Sequence, residues 1–228
     1  MTTAPNRKIF CDYHEGMFAC EPWTGLNTDT PRDRVAREAV MFHESGHAVV
    51  QYALGLGCSA ISLMITKVMR NGNELSYCHG SCASNRVTVR GIVSRIARGN
   101  INAGVLAHGI ATAAGPAAER KYYLSQGLPF RMLSSTEADR NDIDGTDRKL
   151  ASAGRNRFAY RRLVWRRAQL ALENEIIWNA VQEMADALKD YWPTGGTISM
   201  ETGTMHGATA RAKMRRTGVL PGVLGFVA

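Results

Sequence analysis

The string HESGH at residues 43–47 constrains this chain more than any other feature. Two histidines four residues apart project from the same face of an α-helix, about one turn apart, so both rings can hold one metal ion. Glu44 follows directly after the first histidine, beside the metal position but free to carry a proton. The pattern is typical of zinc hydrolases, with His43 and His47 as ligands of Zn²⁺ and Glu44 as the general base.

The residues around this string predict an amphipathic helix over residues 31–54. Thr30-Pro31 is a typical helix start, and Gly55 with Gly57 ends the helix. The apolar stripe steps by three and four residues through Val40, His43, His47, Val50 and Leu54. Both histidines therefore lie on the face that packs inward. Because unpaired polar rings are costly there, a metal site is favoured over two ordinary core histidines.

A catalytic zinc ion usually takes three protein ligands and leaves one position for water. The metzincin continuation requires Gly at position 50 and His at position 53, where this chain has Val50 and Ala53. That class is excluded, and the third ligand is expected to be an acid on a later helix or loop.

The rest of the chain predicts a mainly α (α+β) domain with a small two- or three-stranded β-ribbon. The predicted elements are strands at 59–67 and 75–82, a helical pattern at 86–123, and a long helix at 157–191. The inward stripe predicted for the long helix is Leu170, Ile177, Val181, Met184 and Leu188. No repeat or clear linker divides residues 1–228, so we expect one domain, with residues 1–28 as an irregular arm.

Composition narrows the setting. The formal net charge is +8, and none of the apolar runs approaches the roughly 18 residues that a membrane span needs. The first residues contain no apolar leader segment, and the cysteine number is odd, at five. We therefore expect a soluble, cytoplasmic protein with reduced thiols.

Three segments in order resemble the FtsH-like zinc peptidases. HESGHAVV at 43–50 is close to that family's HEAGHAVV-type string, and AAGPAAE at 113–119 resembles its GGRAAE stretch. SST at 134–136, followed by Asn141-Asp142-Ile143, resembles its S-T-G-A-x-N-D-[LI] segment. The aspartate of that segment completes the family's zinc site, which implies Asp142 as the third ligand. Neighbouring acids leave alternatives, namely Asp139, Asp144 and Asp147, with Glu119 as a weaker rival.

The resemblance covers residues 31–205, followed by a tail at 206–228, and it implies a helical zincin-type peptidase domain. No P-loop and no membrane anchor of that family is found in this sequence. We therefore expect a stand-alone, ATP-independent zinc endopeptidase, in which Glu44 is the general base toward a zinc-activated water. Its expected substrates are peptides or unfolded proteins, with a separate unfoldase as a conceivable partner. Neither the cleavage preference nor the oligomeric state follows from the sequence.

An alternative from another class is a non-catalytic, zinc-stabilised binding or regulatory module that contacts nucleic acid through its basic face. Arginines cluster at 155–167 beside Phe158, Tyr160 and Trp165. Since no recognition motif accompanies this charge, a solvated helix face is favoured over a nucleic-acid site. Retention of Glu44 favours the enzyme, because a structural zinc site does not need that carboxylate.

Two further features allow weaker hypotheses. A second metal site is conceivable where thiols and imidazoles recur, at Cys11, His14, Cys20, Cys78 and Cys82. Their spacing matches no standard zinc finger, and free cysteines are often simple buried hydrophobes. The segment Leu75–Ser81 is a candidate edge strand that could pair with an extended peptide substrate, or it is an ordinary hairpin strand.

Overall fold

The computed structural model describes residues 31–70, 73–83, 103–127, 135–154, 159–193 and 200–224. These residues form six α-helices and one three-stranded sheet, which confirms the predicted mainly helical α+β class. The helices are α1 (Pro31–Ala53), α2 (Ala103–Ser125), α3 (Ser135–Ser152), α4 (Ala159–Glu173), α5 (Glu175–Leu188) and α6 (Gly207–Arg216). The strands are β1 (Ala60–Arg70), β2 (Asn73–Ala83) and β3 (Met200–His206).

Helix α1 is the centre of the molecule and packs against α2, α5 and β2. Gly46 permits the close approach of α2, because a Cβ atom at this position would lie 2.5 Å from the Ala114 carbonyl oxygen and 2.6 Å from the Ala118 Cβ. The α2 segment that faces α1 is rich in small residues, and Ala113 and Ala114 are fully buried. Small side chains on both helices therefore bring the two backbones together where the histidines lie.

The sheet has the order β2-β1-β3, with both pairs antiparallel. Leu63 on the central strand β1 pairs with Gly80 of β2 and with Gly203 of β3, and its side chain is buried. The predicted strands 59–67 and 75–82 both lie within this sheet. Within the described residues the outer edge of β2 pairs with no strand, so the candidate segment Leu75–Ser81 lies in a hairpin strand at the edge of the sheet.

The single long helix predicted over 157–191 is wrong, since this region forms α4 and α5. Asn174 lies between them with φ −67° and ψ 122°, and its side-chain oxygen accepts hydrogen bonds from the backbone N–H groups of Ile176 and Ile177. An asparagine side chain that accepts such bonds begins a new helix rather than continuing the old one. The break also corrects the predicted stripe, because Leu170 is 46% exposed. The remaining four stripe residues are buried, namely Ile177, Val181, Met184 and Leu188.

The cap at Asn174 predicts a measurable effect on stability. Replacing it with alanine removes the acceptor of two backbone N–H groups at the start of α5, which we expect to cost about 0.5–2 kcal/mol of unfolding free energy. Urea denaturation followed by circular dichroism measures this difference. Asn174→Asp keeps an acceptor and should lie close to the original protein, whereas an unchanged midpoint in Asn174→Ala would show that the cap contributes nothing.

The other predicted elements agree in part. Of the helical pattern at 86–123, residues from Ala103 onward form α2, while 84–102 lie outside the described residues, as does the arm at 1–28. The segment that contains the four neighbouring aspartates, Asp139 to Asp147, lies in α3, and the start of the predicted tail at 206–228 forms α6. In the described ranges, the helices are all too short or too polar to cross a bilayer.

Candidate metal centre

The two histidines of α1 face each other inside the molecule. His43 is 1% exposed and His47 is half-buried, and their ring centroids lie 4.7 Å apart with an interplanar angle of 78°. Their Nε2 atoms lie 3.0 Å from each other. The spacing of four residues on a helix therefore brings two ring nitrogens close together, as the sequence predicts.

The opposite ring nitrogen of each histidine has its own partner. His47 Nδ1 lies 2.8 Å from the Ala111 carbonyl oxygen, which can only accept, so Nδ1–H is the donor. His43 Nδ1 lies 2.9 Å from Oε2 of Glu119, a carboxylate that is completely buried on α2. Such partners orient the imidazole rings of metal-binding histidines. In the neutral form of each ring, a proton on Nδ1 would leave the Nε2 lone pair free for a metal ion.

A carboxylate completes the cluster. Asp139 on α3 places its Oδ2 atom 3.0 Å from His43 Nε2 and 3.3 Å from His47 Nε2. Among the described residues, these three side chains form the group of histidine, cysteine and acidic ligands that could hold a metal ion. Two ligands bound to zinc at its usual bond lengths lie about 3.3 Å apart in a tetrahedral arrangement. The donor set and its spacing therefore fit a small divalent cation.

Asp139, rather than the expected Asp142, is the aspartate whose carboxylate lies within reach of both histidines. The two aspartates are three residues apart on α3, so Asp142 lies one helical turn away from the histidines of α1. Its Oδ2 atom lies 3.0 Å from His108 Nε2 on α2, and its side chain is 50% exposed. Of the rivals, Glu119 contacts His43 from the far side of the ring, and Asp144 pairs with Arg161 at 3.2 Å.

Sequence order alone could not locate this ligand. In the S-T-G-A-x-N-D pattern the aspartate is three residues after the alanine, whereas Asp142 is four residues after Ala138. One additional residue turns a helical side chain by about 100°, so the matched letter does not occupy the matched face. Asp139 directly follows Ala138 and faces the cluster.

Acidic side chains surround the two histidines and shift their titration. Burial disfavours a positive charge on His43, but its hydrogen bonds with Asp139 and Glu119 outweigh that effect and raise its pKa well above the usual value. Burial alone would raise the pKa of Asp139, yet the neighbouring His47 and the hydrogen bonds from both histidines hold it below its usual range. Three carboxylates, including Glu44, thus surround two imidazoles.

Glu44 is a second buried acid of this site, besides Glu119. It is 1% exposed, and its Oε2 atom has no hydrogen-bond partner among the residues that the structure describes. Burial raises its pKa against the opposing attraction of His43 and His47. A Cβ atom at position 80 of β2 would collide with the Glu44 side chain, so Gly80 makes room for it. A buried carboxylate oxygen without a partner is costly in a purely structural role.

The cluster opens into a cleft of about 270 Å³ between α1, α2, α3 and β2. His43, Glu44, His47 and Asp139 all line it. Further lining residues come from α1, from the end of β2 and from α2, namely Gln51, Gly80, Ser81, Cys82, His108, Ala111 and Thr112. The three candidate ligands and Glu44 therefore face one space that is accessible from outside.

Gly115 lets α2 pass beside the metal centre. A Cβ atom on this residue would collide with the His47 ring at its Nε2 atom. We expect Gly115→Ala to weaken metal binding and to lower the unfolding free energy by about 1–3 kcal/mol, the usual cost of overpacking a core. Thermal denaturation and equilibrium dialysis with zinc measure the two effects.

Gly145 on α3 is the matched control. A Cβ atom there would meet no heavy atom within 4 Å, so Gly145→Ala should leave metal binding unchanged. It should also stabilise α3 by about 0.5–1 kcal/mol, because alanine loses less backbone entropy in a helix. Equal behaviour of the two variants would contradict the close approach of α2 to His47.

Two further sequence hypotheses concern a second metal site and a basic surface for nucleic acid. Cys11, His14 and Cys20 of the suggested second metal site lie outside the described residues, and Cys82 Sγ accepts a hydrogen bond from Gln51 Nε2 at 2.9 Å. In the basic stretch, Arg161 is buried, as are the aromatic rings of Tyr160 and Trp165. These three side chains are thus part of the core, Arg166 and Arg167 of the same stretch are exposed, and Arg155, Arg157 and Phe158 lie outside the described residues.

The sequence alone assigns no role to His108, which the structure places at the wall of the cleft. The spacing is typical of one helix face: Ala111 and Thr112 follow His108 by three and four residues and line the cleft with it, and Gly115, seven residues after His108, faces His47. Without the structure, nothing shows that this face of α2 meets the histidine face of α1.

Comparison with known proteins adds no assignment to this geometry. No protein-family model matches the chain, and none of the curated proteins matches it significantly. The likeness to the FtsH-like peptidases consequently rests on the three short segments alone.

Proposed function

We propose that this protein is a zinc-dependent peptidase whose active site is the cleft at His43, Glu44, His47 and Asp139. One observation carries the proposal: two Nε2 atoms and a carboxylate oxygen converge within 3.3 Å beside a buried acid that has an unpaired oxygen. The three ligands form the metal-binding part of the site, and the acid is available for proton transfer.

The ligand chemistry favours zinc. Two imidazoles and one carboxylate are a common three-ligand set for catalytic zinc, which keeps a fourth position for water or substrate. Magnesium and calcium prefer sites built from oxygen atoms, so two nitrogen ligands argue against them. Glu119 and the Ala111 carbonyl support the two rings from behind, as partners beyond the ligands do in metal enzymes.

A zinc ion held there would supply a Lewis acid that acidifies water and withdraws electrons from a carbonyl group. Glu44 would accept the proton of the attacking water through its unpaired oxygen and return it to the leaving amine. Its burial against Gly80 fixes the carboxylate next to the metal ligands. Asp139 and the two histidines would serve only as ligands, so proton transfer falls to Glu44.

The sheet suggests how a substrate would bind. β2 is an edge strand, and its residues Gly80 and Ser81 line the cleft beside Glu44. An extended peptide that pairs with this edge would pass along the cleft with its backbone held by main-chain hydrogen bonds. Flexible or unfolded segments can adopt such a conformation, so they are the proposed substrates. The resemblance to the FtsH-like zinc peptidases agrees with this activity, and a cytoplasmic setting remains part of the proposal.

Cleavage of fluorescently labelled casein tests the proposal. We expect cleavage that stops with 1,10-phenanthroline and returns when zinc is added back. A protein that binds zinc but cleaves neither casein nor a library of fluorogenic peptides would be a zinc-stabilised binding module instead. If it also bound nucleic acid with a steep salt dependence, the basic-module hypothesis would replace the peptidase.

A further inference from the structure

His108 and Asp142 form a second polar pair at the mouth of the same cleft. His108 lines the cleft from α2, and its side chain is 31% exposed, so a substrate can reach it. Its Nε2 atom lies 3.0 Å from Oδ2 of Asp142 on α3. An ionised carboxylate can only accept, so Nε2–H donates, and Nδ1 remains as the other polar atom of the ring.

This pair joins a histidine and an aspartate, as the metal centre does, and lies about one helical turn from it along α2 and α3. Ala111, whose carbonyl oxygen orients His47, lies three residues after His108 on α2. On α3, Asp142 follows Asp139 by three residues, and three residues rise about 4.5 Å along a helix. One residue of an extended chain spans about 3.3–3.6 Å, so a peptide in the cleft can contact the metal ligands and His108 together.

The His108–Asp142 ion pair adds little to the stability of the fold. Both side chains are partly exposed, where an ion pair contributes little to stability because water screens it. The Thr112 hydroxyl donates to the backbone carbonyl oxygen of His108 and not to its imidazole ring. The ring is held by its hydrogen bond with Asp142.

We propose that His108 is a catalytic residue of the peptidase, which hydrogen-bonds the substrate carbonyl oxygen as that oxygen gains negative charge. The inference rests on the proposed function. Asp142 is a positioning residue that fixes the ring through Nε2. With Nε2–H donated to Asp142, the ring would donate from Nδ1 to the oxygen in its imidazolium form, and no bond other than these hydrogen bonds forms at His108. Donors aimed at a developing oxyanion usually contribute about 10²–10³-fold in kcat.

Four variants of the full chain test the role: His108→Ala, His108→Gln, Asp142→Asn and His206→Ala. His206 is exposed at the start of α6 and serves as the control for removal of a histidine. Each is assayed for zinc content, and for kcat and KM on one fluorogenic peptide that the original protein cleaves. We expect His108→Ala to lower kcat roughly 10²-fold with little change in KM and no loss of zinc.

The remaining variants separate catalysis from packing. His108→Gln should recover part of the lost kcat, because its amide can donate, and Asp142→Asn should lower kcat less than His108→Ala does. A His108→Ala protein with kcat close to the original would overturn the inference while the peptidase stands, and so would loss of its zinc. If the original protein cleaves nothing, the proposed function fails and this inference fails with it.

Discussion

Replacing Glu44 with glutamine is expected to lower kcat/KM by roughly 10²–10⁴-fold, the usual contribution of a general base. The amide has nearly the shape of the carboxylate and fits beside Gly80, but it cannot accept a proton from water. The metal ligands are unchanged, so zinc content should stay at one ion per chain. Casein cleavage together with elemental analysis of the same sample measures both quantities.

Glu183→Gln is the matched control for this change. Glu183 is exposed on α5 and is distant in sequence from the residues of the cluster. Its substitution by glutamine changes the net charge by the same amount. This control should keep full activity. Full activity in Glu44→Gln would remove Glu44 from the reaction, and loss of zinc in that variant would show that it supports the site rather than the chemistry.

Replacing Asp139 with asparagine is expected to remove most of the bound zinc. The carboxylate oxygen lies 3.0 and 3.3 Å from the two Nε2 atoms and supplies the negative ligand of the set. Loss of a partner that only supports a ligand weakens metal binding by about 10–100-fold, and loss of the ligand itself should exceed that. Competition with a fluorescent zinc chelator measures the dissociation constant.

Asp142→Asn is the internal comparison, since it makes the same substitution one turn along the same helix. Because Asp142 contacts His108 and not the two metal-binding histidines, its loss should leave zinc affinity within a few-fold of the original. If Asp142→Asn lost zinc while Asp139→Asn kept it, the third ligand would be the one that the sequence pattern implied.

The sequence could predict α1 and its two histidines because helical periodicity and the metal motif depend on the same spacing. Residues four apart share a face whatever the rest of the fold does. The acid Glu44 follows from the same motif. The strands β1 and β2 were equally local, since β-prone residues lie on both sides of the turn-forming sequence RNGN at 70–73.

Which aspartate lies beside the two histidines depends on contacts between distant elements, and a linear pattern did not determine it. Asp139, Asp142, Asp144 and Asp147 lie on one helix, and the packing of α3 against α2 selects which of them reaches the histidines. His108 became part of the site for the same reason. The division between α4 and α5 was missed because apolar residues continue through it, while a single side-chain cap at Asn174 begins the second helix.

X-ray absorption at the zinc edge of the purified, zinc-loaded protein tests the central claim most directly. Two imidazoles and a carboxylate with one further light ligand predict a shell of nitrogen and oxygen at about 2.0–2.1 Å, with the multiple scattering of two histidine rings. Sulfur at about 2.3 Å would place the ion at cysteines such as Cys11, Cys20, Cys78 or Cys82 instead. That result would contradict a catalytic centre at His43, His47 and Asp139.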